Sequence, residues 1–335
     1  MYESFYKLTV KPFQLNPDPN FYFGSRGHKR AMSYLEYGLH QGEGFIVITG
    51  EVGAGKTTLV RNLFVKLERD NVVGAQLVST QLDADEILRM VCASFGLAHE
   101  EVSKAVLLKK LEGFLLACHK QGKRALCVVD EAQNLTQRAV EELRMLSNFQ
   151  IGEKSLMQSF LLGQPEFRQV LQGDGMQQLR QRVIASYHLG PMDASDTRAY
   201  IEHRLQTAGW RNDPTFSDAA HAAIYDYTGG IPRRINTVCD RLMLMGYLEE
   251  KHAFDSAEVA EVVADLQREF TAPEASPDNP AKAENGAGAV YASDKLNRLD
   301  ERVSQMEKSL VSVLNLSREI LAFARTRGIR KERSR

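Results

Sequence analysis

The sequence predicts an α/β protein with a mostly parallel sheet, followed by a helical domain. Three observations carry that expectation. Apolar, β-branched runs alternate with stretches of helical spacing from residue 45 to about residue 192. A full G-x-x-x-x-G-K-[ST] pattern, Gly50-Glu51-Val52-Gly53-Ala54-Gly55-Lys56-Thr57, stands between the first such run and the helix after it. From Asp193 the strand signal stops, and only helical spacing continues to residue 270.

The elements follow in order. Residues 1–44 precede the first strand and include the turn-rich stretch Lys11-Pro12-Phe13-Gln14-Leu15-Asn16-Pro17-Asp18-Pro19. Phe21, Tyr22 and Phe23 follow, then a helix over 28–39. These aromatics either fold over a base near the loop or cover the sheet edge. Strands are expected at 45–49, 72–79, 124–129, 159–162 and 184–189. Helices are expected at 59–67, 82–95, 102–118, 139–149 and 175–182. Alternation of this kind needs right-handed crossovers and puts helices on both faces of the sheet. A ligand then sits at the carboxyl ends of the strands. Helices at 197–206, 217–227, 233–248 and 256–270 form the helical domain.

The expected domains are therefore residues 1–44, an N-terminal segment with a helix on the base side; 45–192, the α/β core; and 193–270, the helical lid. Residues 271–290, rich in Pro, Ala, Gly and charge, read as a flexible linker. In 291–325, Leu296, Leu299, Val303, Met306, Leu310, Val313, Ser317, Ile320 and Ala324 keep a 3-4 spacing that predicts a coiled coil. Residues 326–335 form a basic tail.

Composition narrows the class. The 335 residues suffice for about two domains and a sizeable core. A hydrophobic share of 43% with 25% charged residues is that of a soluble globular chain. The net charge of −1 supplies no global field toward nucleic acid or acidic lipid. Cys92, Cys118, Cys127 and Cys239 form no C-x-x-C pair, which predicts buried free thiols in a reducing compartment. Neither a signal-peptide pattern nor an uninterrupted apolar run of spanning length is present, so a cytoplasmic location is expected.

The chemistry follows from residue types. The loop glycines allow close backbone approach to phosphate, and the loop N–H groups with the helix N-terminus offer positive dipole ends. Gly50 to Thr57, with Thr58, are the expected nucleotide contacts. Lys56 is expected to reach the β- and γ-phosphates and the Thr57 hydroxyl to bind Mg²⁺. The apolar strand Leu126-Cys127-Val128-Val129 ends in Asp130 and Glu131. Asp130 is the expected second Mg²⁺ ligand, and Glu131 the base that activates water. That adjacent base points to hydrolysis rather than nucleotide binding alone. Absence of an Asn-Lys-x-Asp guanine reader favours ATP. No H-E-x-x-H, G-x-S-x-G or Cys/His metal spacing supports a rival hydrolase.

Taken together, KPFQLNPDP, GEVGAGKTT, VVDEAQNL, LLGQPEF, LRQRV and GGIPRRIN resemble the AAA+ ATPases of the general secretion pathway, the ExeA or GspA type. The likeness covers about residues 1–270. Within that type it looks nearest to the branch associated with exosortase and PEP-CTERM protein sorting. The resemblance implies a P-loop AAA+ core, a lid, ATP with Mg²⁺, and homo-oligomers formed through the core and the coiled coil. It also implies envelope secretion, polysaccharide-export or sorting machinery as partner. Gln164 falls at the sensor 1 position and Arg233 at the sensor 2 position. Arg182 falls at that of an arginine finger, with Arg180 as its alternative. Ion pairing at the surface is the other reading of Arg180, Arg182 and Arg234. Secretion ATPases of this type often continue into a membrane span and a wall-binding domain, where this chain has a linker and heptads. Two further functional readings stay open: a DNA-associated regulatory ATPase of the transposition type, and a slow nucleotide-gated scaffold.

Overall fold

The computed structural model describes residues 1–67, 71–78, 82–152, 154–173 and 175–270. In chain order it holds α1 (Tyr2–Phe5), α2 (Arg26–Gln41), β1 (Phe45–Gly50), α3 (Lys56–Leu67) and β2 (Val72–Val78). Next come α4 (Ala84–Ser94), α5 (Lys104–Lys120), β3 (Arg124–Asp130), α6 (Gln137–Leu146), and the short antiparallel pair β4 (Gln150–Ile151) and β5 (Lys154–Ser155). Then follow β6 (Met157–Gly163), α7 (Glu166–Gln172), α8 (Gln177–Arg180) and β7 (Val183–Leu189). The last elements are α9 (Ala194–Thr207), β8 (Thr215–Phe216), α10 (Asp218–Thr228), α11 (Pro232–Leu248), β9 (Ala253–Phe254) and α12 (Ser256–Phe270). The expected linker, coiled coil and basic tail fall on 271–335 and lie outside the described residues.

The predicted α/β fold is present. Five parallel strands form one sheet in the order β2-β3-β6-β1-β7. The middle strands β1 and β6 are buried along their whole length, and β3 at every position but Arg124. The edge strands β2 and β7 are only partly covered. Apolar runs without alternation belong to a sheet covered on both faces, which is what the helices provide. On one face Phe45, Val47, Cys127, Val129 and Leu161 pack with residues of α4 to α8. On the other, Ile46, Ile48, Val128 and Leu162 pack with α2 and α3.

Because the chain leaves β1 for the far edge at β2 and returns through β3 and β6, the carboxyl ends of β1, β6 and β3 lie side by side. Those ends carry Gly50, Gly163 and Asp130. The order therefore brings the phosphate loop, the residue after β6 and the acidic pair after β3 to one edge.

A third apolar cluster joins α9 to α12 with the start of the chain. Tyr2, Tyr6, Leu8, Phe13 and Phe21 are buried there, among Ile201, Leu205, Ile224, Leu242 and Phe254. Tyr6 Oη donates to the Lys251 carbonyl at 2.9 Å, and the Thr9 amide to the Ala208 carbonyl at 2.8 Å. So residues 2–21 pack with the C-terminal helices, whereas α2 packs on the sheet.

Two differences from the sequence reading stand out. The helix expected over 175–182 is only the turn Gln177–Arg180, and α7 precedes it unanticipated. The two-residue pairs β4–β5 and β8–β9 are also new, since two residues carry no period. Among the described residues no helix is long and apolar enough to cross a membrane.

Candidate functional site

The loop between β1 and α3 is shaped by its glycines. Gly53 and Gly55 have φ of +81° and +96°, a region open to glycine and costly to other residues. A Cβ on Gly55 would also press on His28 Nε2 at 2.7 Å. His28, buried in α2, lies 3.0 Å from the Ala54 carbonyl through Nε2 and 2.7 Å from Ser25 Oγ through Nδ1. Burial holds its imidazole below the ordinary value, with the Ala54 contact opposing that effect. A neutral ring can donate from Nε2 to Ala54 and accept from Ser25 at Nδ1.

Helix α3 begins at Lys56 itself, so its free N–H groups open on the loop. Leu59, Val60, Leu63 and Leu67 anchor the other side of the helix on the sheet. Lys56 Nζ donates to the carbonyls of Gly50 at 2.7 Å and Glu51 at 3.1 Å. Burial lowers its pKa, while the carboxylates of Glu131, Asp130, Glu51 and Glu166 pull it back up. The ammonium thus stands over the loop, facing a group of acids.

Thr57 Oγ1 donates to Asp130 Oδ2 at 2.7 Å, joining the loop to the end of β3. Asp130 Oδ1 accepts from the Glu131 amide at 3.0 Å. A hydroxyl beside a carboxylate is a hard oxygen pair that fits Mg²⁺, an ion that keeps several waters and takes few protein ligands. Among the described residues there is no group of three or more His, Cys, Asp or Glu that could hold a metal ion.

Glu131 has φ 55° and ψ 41°, a left-handed backbone rare outside glycine. That turn swings its carboxylate toward two amides. Gln133 Nε2 donates to Glu131 Oε2 at 2.6 Å, and Gln164 Nε2 to the same oxygen at 3.2 Å. The Gln133 side-chain oxygen Oε1 in turn accepts from the Gln164 backbone amide at 2.9 Å. These hydrogen bonds hold the carboxylate in one direction. Gln133 was not among the expected site residues. Its position two after Glu131 in Asp-Glu-Ala-Gln is the signal, but it becomes readable only once the left-handed turn is known.

A cavity of about 360 Å³ opens from the loop. Lys56, Thr57, Thr58, Glu131 and Arg233 line it, together with Gln14 to Asp18, Phe21, Tyr22, Phe23, Tyr200, Arg204 and Asn236. The N-terminal aromatics Phe21, Tyr22 and Phe23 all border the cavity, Phe21 and Phe23 packing with the C-terminal helices and Tyr22 with the α2–α3 side of the sheet; burial pushes the Tyr22 phenol up to about 12. At the start of α11, the Arg233 amide donates to the Gly53 carbonyl at 3.2 Å. A Cβ on Gly53 would overlap that of Arg233.

Arg180 and Arg182 stand apart from this cavity. Arg182 precedes β7, and its carbonyl accepts from the amide of Phe45, at the amino end of β1. The phosphate loop starts at the carboxyl end of that strand, roughly 17–20 Å away along six residues. The Arg182 guanidinium donates to Ser147 Oγ at 2.9 Å. Arg180 donates to the carbonyls of Leu171 and Gly173 at 2.6 and 3.1 Å, holding the turn after α7. Arg234 is exposed and does not line the cavity.

Comparison with known proteins shows what the chain is similar to. Residues 39–171 match the family model described as AAA domain. General secretion pathway protein A of Aeromonas hydrophila is 38% identical over 253 residues, covering 75% of this chain and 46% of that protein. The chain thus spans about half the length of that relative. The ORC1 protein of Aeropyrum pernix, solved in complex with DNA, superposes with a TM-score of 0.58 at 14% identity, over 78% of this chain and 71% of that one. Cdc6p from Pyrobaculum aerophilum gives 0.57 at 14%, over 79% and 71%. The Aeropyrum pernix ORC2 protein, in its ADPNP–ADP complexes, gives 0.54 at 16%, over 73% and 70%. At such identities the likeness is one of fold.

Proposed function

We propose that this chain, an AAA-domain protein on a P-loop ATPase fold with kinship to General secretion pathway protein A, is a Mg²⁺-dependent ATPase. The observation that carries the reading is the held carboxylate of Glu131 beside the Thr57–Asp130 pair and the loop lysine. A protein that only stores nucleotide has no need of a directed base there.

In this reading the loop amides from Gly50 to Thr58 cradle the phosphates, and Lys56 turns from its loop carbonyls to the β,γ-bridge. Thr57 and Asp130 hold Mg²⁺, which supplies charge neutralisation on the phosphate oxygens. Glu131 takes a proton from the attacking water. Gln164, which sits just after β6 between loop and acids, orients that water together with Gln133. Arg233 approaches the γ-phosphate from α11, making α9 to α12 a lid that senses it. Arg182 lies too far to serve its own site, which suits a finger given to the neighbouring subunit's phosphate. Arg180 is committed to its turn and is the weaker candidate.

The process is read from kinship. The motor works in the cytoplasm as a homo-oligomer and serves an envelope secretion, polysaccharide-export or exosortase-linked sorting system. Glu131→Gln tests the central claim. ATP binding should persist while turnover falls by roughly two to four orders of magnitude. Turnover near wild type in that variant would remove Glu131 from the role of base.

A further inference from the structure

Arg204 is a buried cation that the mechanism above leaves unused. It projects from α9 and is 6% exposed. Its partners are neutral. Nε donates to the Pro12 carbonyl at 2.5 Å, and the two terminal nitrogens donate to Tyr200 Oη at 2.9 Å and the Gln14 carbonyl at 3.3 Å. The rings of Phe21 and Tyr200 lie 4.9 and 5.6 Å from the guanidinium carbon. Burying a cation is costly unless its donors are satisfied, and packing alone would be served by Met or Leu. Three acceptors on two segments are each reached from a different nitrogen of the planar fork, a spread that an ammonium, with its three donors on one nitrogen, does not offer.

The network continues past Arg204. Tyr200 Oη donates to Asn236 Oδ1 at 2.9 Å, and Asn236 Nδ2 donates to the Gln14 carbonyl at 3.3 Å. A closed ring of bonds therefore runs from residues 12–14 to α9, on to α11, and back. Asn236 stands three residues after Arg233 on α11, hence on the same helix face. Arg233 is the residue whose amide binds the phosphate loop. Gln14, Tyr200, Arg204 and Asn236 line the same cavity as Lys56 and Arg233.

We propose that Arg204 is a positioning residue that fastens residues 12–23 to α11 through Tyr200 and Asn236, so that the base end of the cavity and the Arg233 contact with the phosphates move as one body. The proposal rests on the nucleotide reading and adds to it a coupling between base recognition and the lid. Residues 12–23 act as a strap whose backbone is held in register by a side chain from the lid itself. Occupancy by a base then reaches Arg233 through α11, without passing through the sheet.

The test compares ATP with inorganic tripolyphosphate, each with Mg²⁺, on the full chain. In Arg204→Met and Tyr200→Phe the Kd for ATP should rise roughly tenfold, the scale of one or two hydrogen bonds. The Kd for tripolyphosphate should stay at wild type, because the loop is untouched. Hydrogen exchange should quicken together in 12–23 and at the start of α11. Arg204→Lys should fall between wild type and Arg204→Met, keeping the charge without the fork. Wild-type ATP affinity in Tyr200→Phe would overturn the proposal. Equal weakening of ATP and tripolyphosphate would do so too, as would faster exchange confined to the strap. Tyr200→Phe keeps the ring and carries the test if Arg204→Met does not fold. Failure of the parent reading looks different: Lys56→Ala would then bind both ligands as wild type does.

Discussion

Lys56 faces the acids of β3 across the loop, and its ammonium is the one cation built into the phosphate loop. Lys56→Ala should abolish tight ATP binding, measured by fluorescence of an ATP analogue; retained affinity would displace the site. Gln133→Leu should leave binding intact and cut turnover roughly tenfold, since Glu131 loses a 2.6 Å tether but keeps Gln164. An unchanged rate would make Gln133 a mere turn residue. The buried imidazoles give a pH signature. Burial lowers the pKa of His28, His203 and His221, so the unfolded chain binds these protons more readily. Their contribution to stability is complete above the ordinary imidazole value of about 6.5 and is lost as pH falls below it. The melting temperature should drop between pH 7.5 and 5.5, and His28→Gln should shrink the drop. An equal drop in the variant would assign the acid sensitivity elsewhere. At this scale the phosphate loop and the acid pair were legible because fixed residue types at fixed spacing carry the chemistry. Gln133, Arg204 and His28 were not, because their roles depend on a left-handed turn, a strap and a helix packed on the loop.

Helix α11 is the element on which loop and helical cluster meet. It starts with Pro232, whose missing N–H is no loss at a helix start, and its second residue bonds the loop. Gly53 and Gly230 leave room for that approach. A Cβ on Gly230 would overlap the Met192 carbonyl oxygen, at φ +73°. Gly53→Ala should push α11 from the loop and weaken ATP binding at least tenfold while the sheet stays folded, since steric overlap adds to a left-handed backbone cost of about 1 kcal/mol. Calorimetric titration giving wild-type affinity would show that the α11 contact is dispensable. Among elements, the strands of the sheet were readable because unbroken β-branched runs suit a buried parallel sheet. The short helix α7 was hidden behind Pro165, which reads as a turn although Phe167 and Leu171 sit at helical spacing. The hairpin β4–β5 and the long-range pair β8–β9 have two residues to a strand, too few to show a period.

Across the whole molecule, two predictions concern association. Arg182 stands at the amino ends of the strands and the phosphate loop at the carboxyl ends, so a shared site requires a neighbour. Arg182→Ala should lower turnover, and mixing it with Lys56→Ala should restore part of it, each variant keeping one half of a site. Absence of rescue in confirmed mixed assemblies would mark Arg182 as structural. The heptads of 291–325 lie outside the described residues; deleting 291–335 should leave an active ATPase that is smaller in the absence of nucleotide. Identical subunit numbers by light scattering would refute self-association there. The order in which the chain is made bears on the pairing of residues 2–21 with α9 to α12. Tyr2 Oη bonds Asp240, 238 residues later, and Tyr6 bonds Lys251, 245 residues later. At roughly 5–20 residues per second, a ribosome needs about 12–50 s to supply those partners. For that interval Tyr2, Tyr6 and Phe13 wait as exposed apolar side chains beside a sheet that can already close without them. Apolar side chains left uncovered for that long should recruit holding chaperones during synthesis, and slower translation should lengthen their exposure.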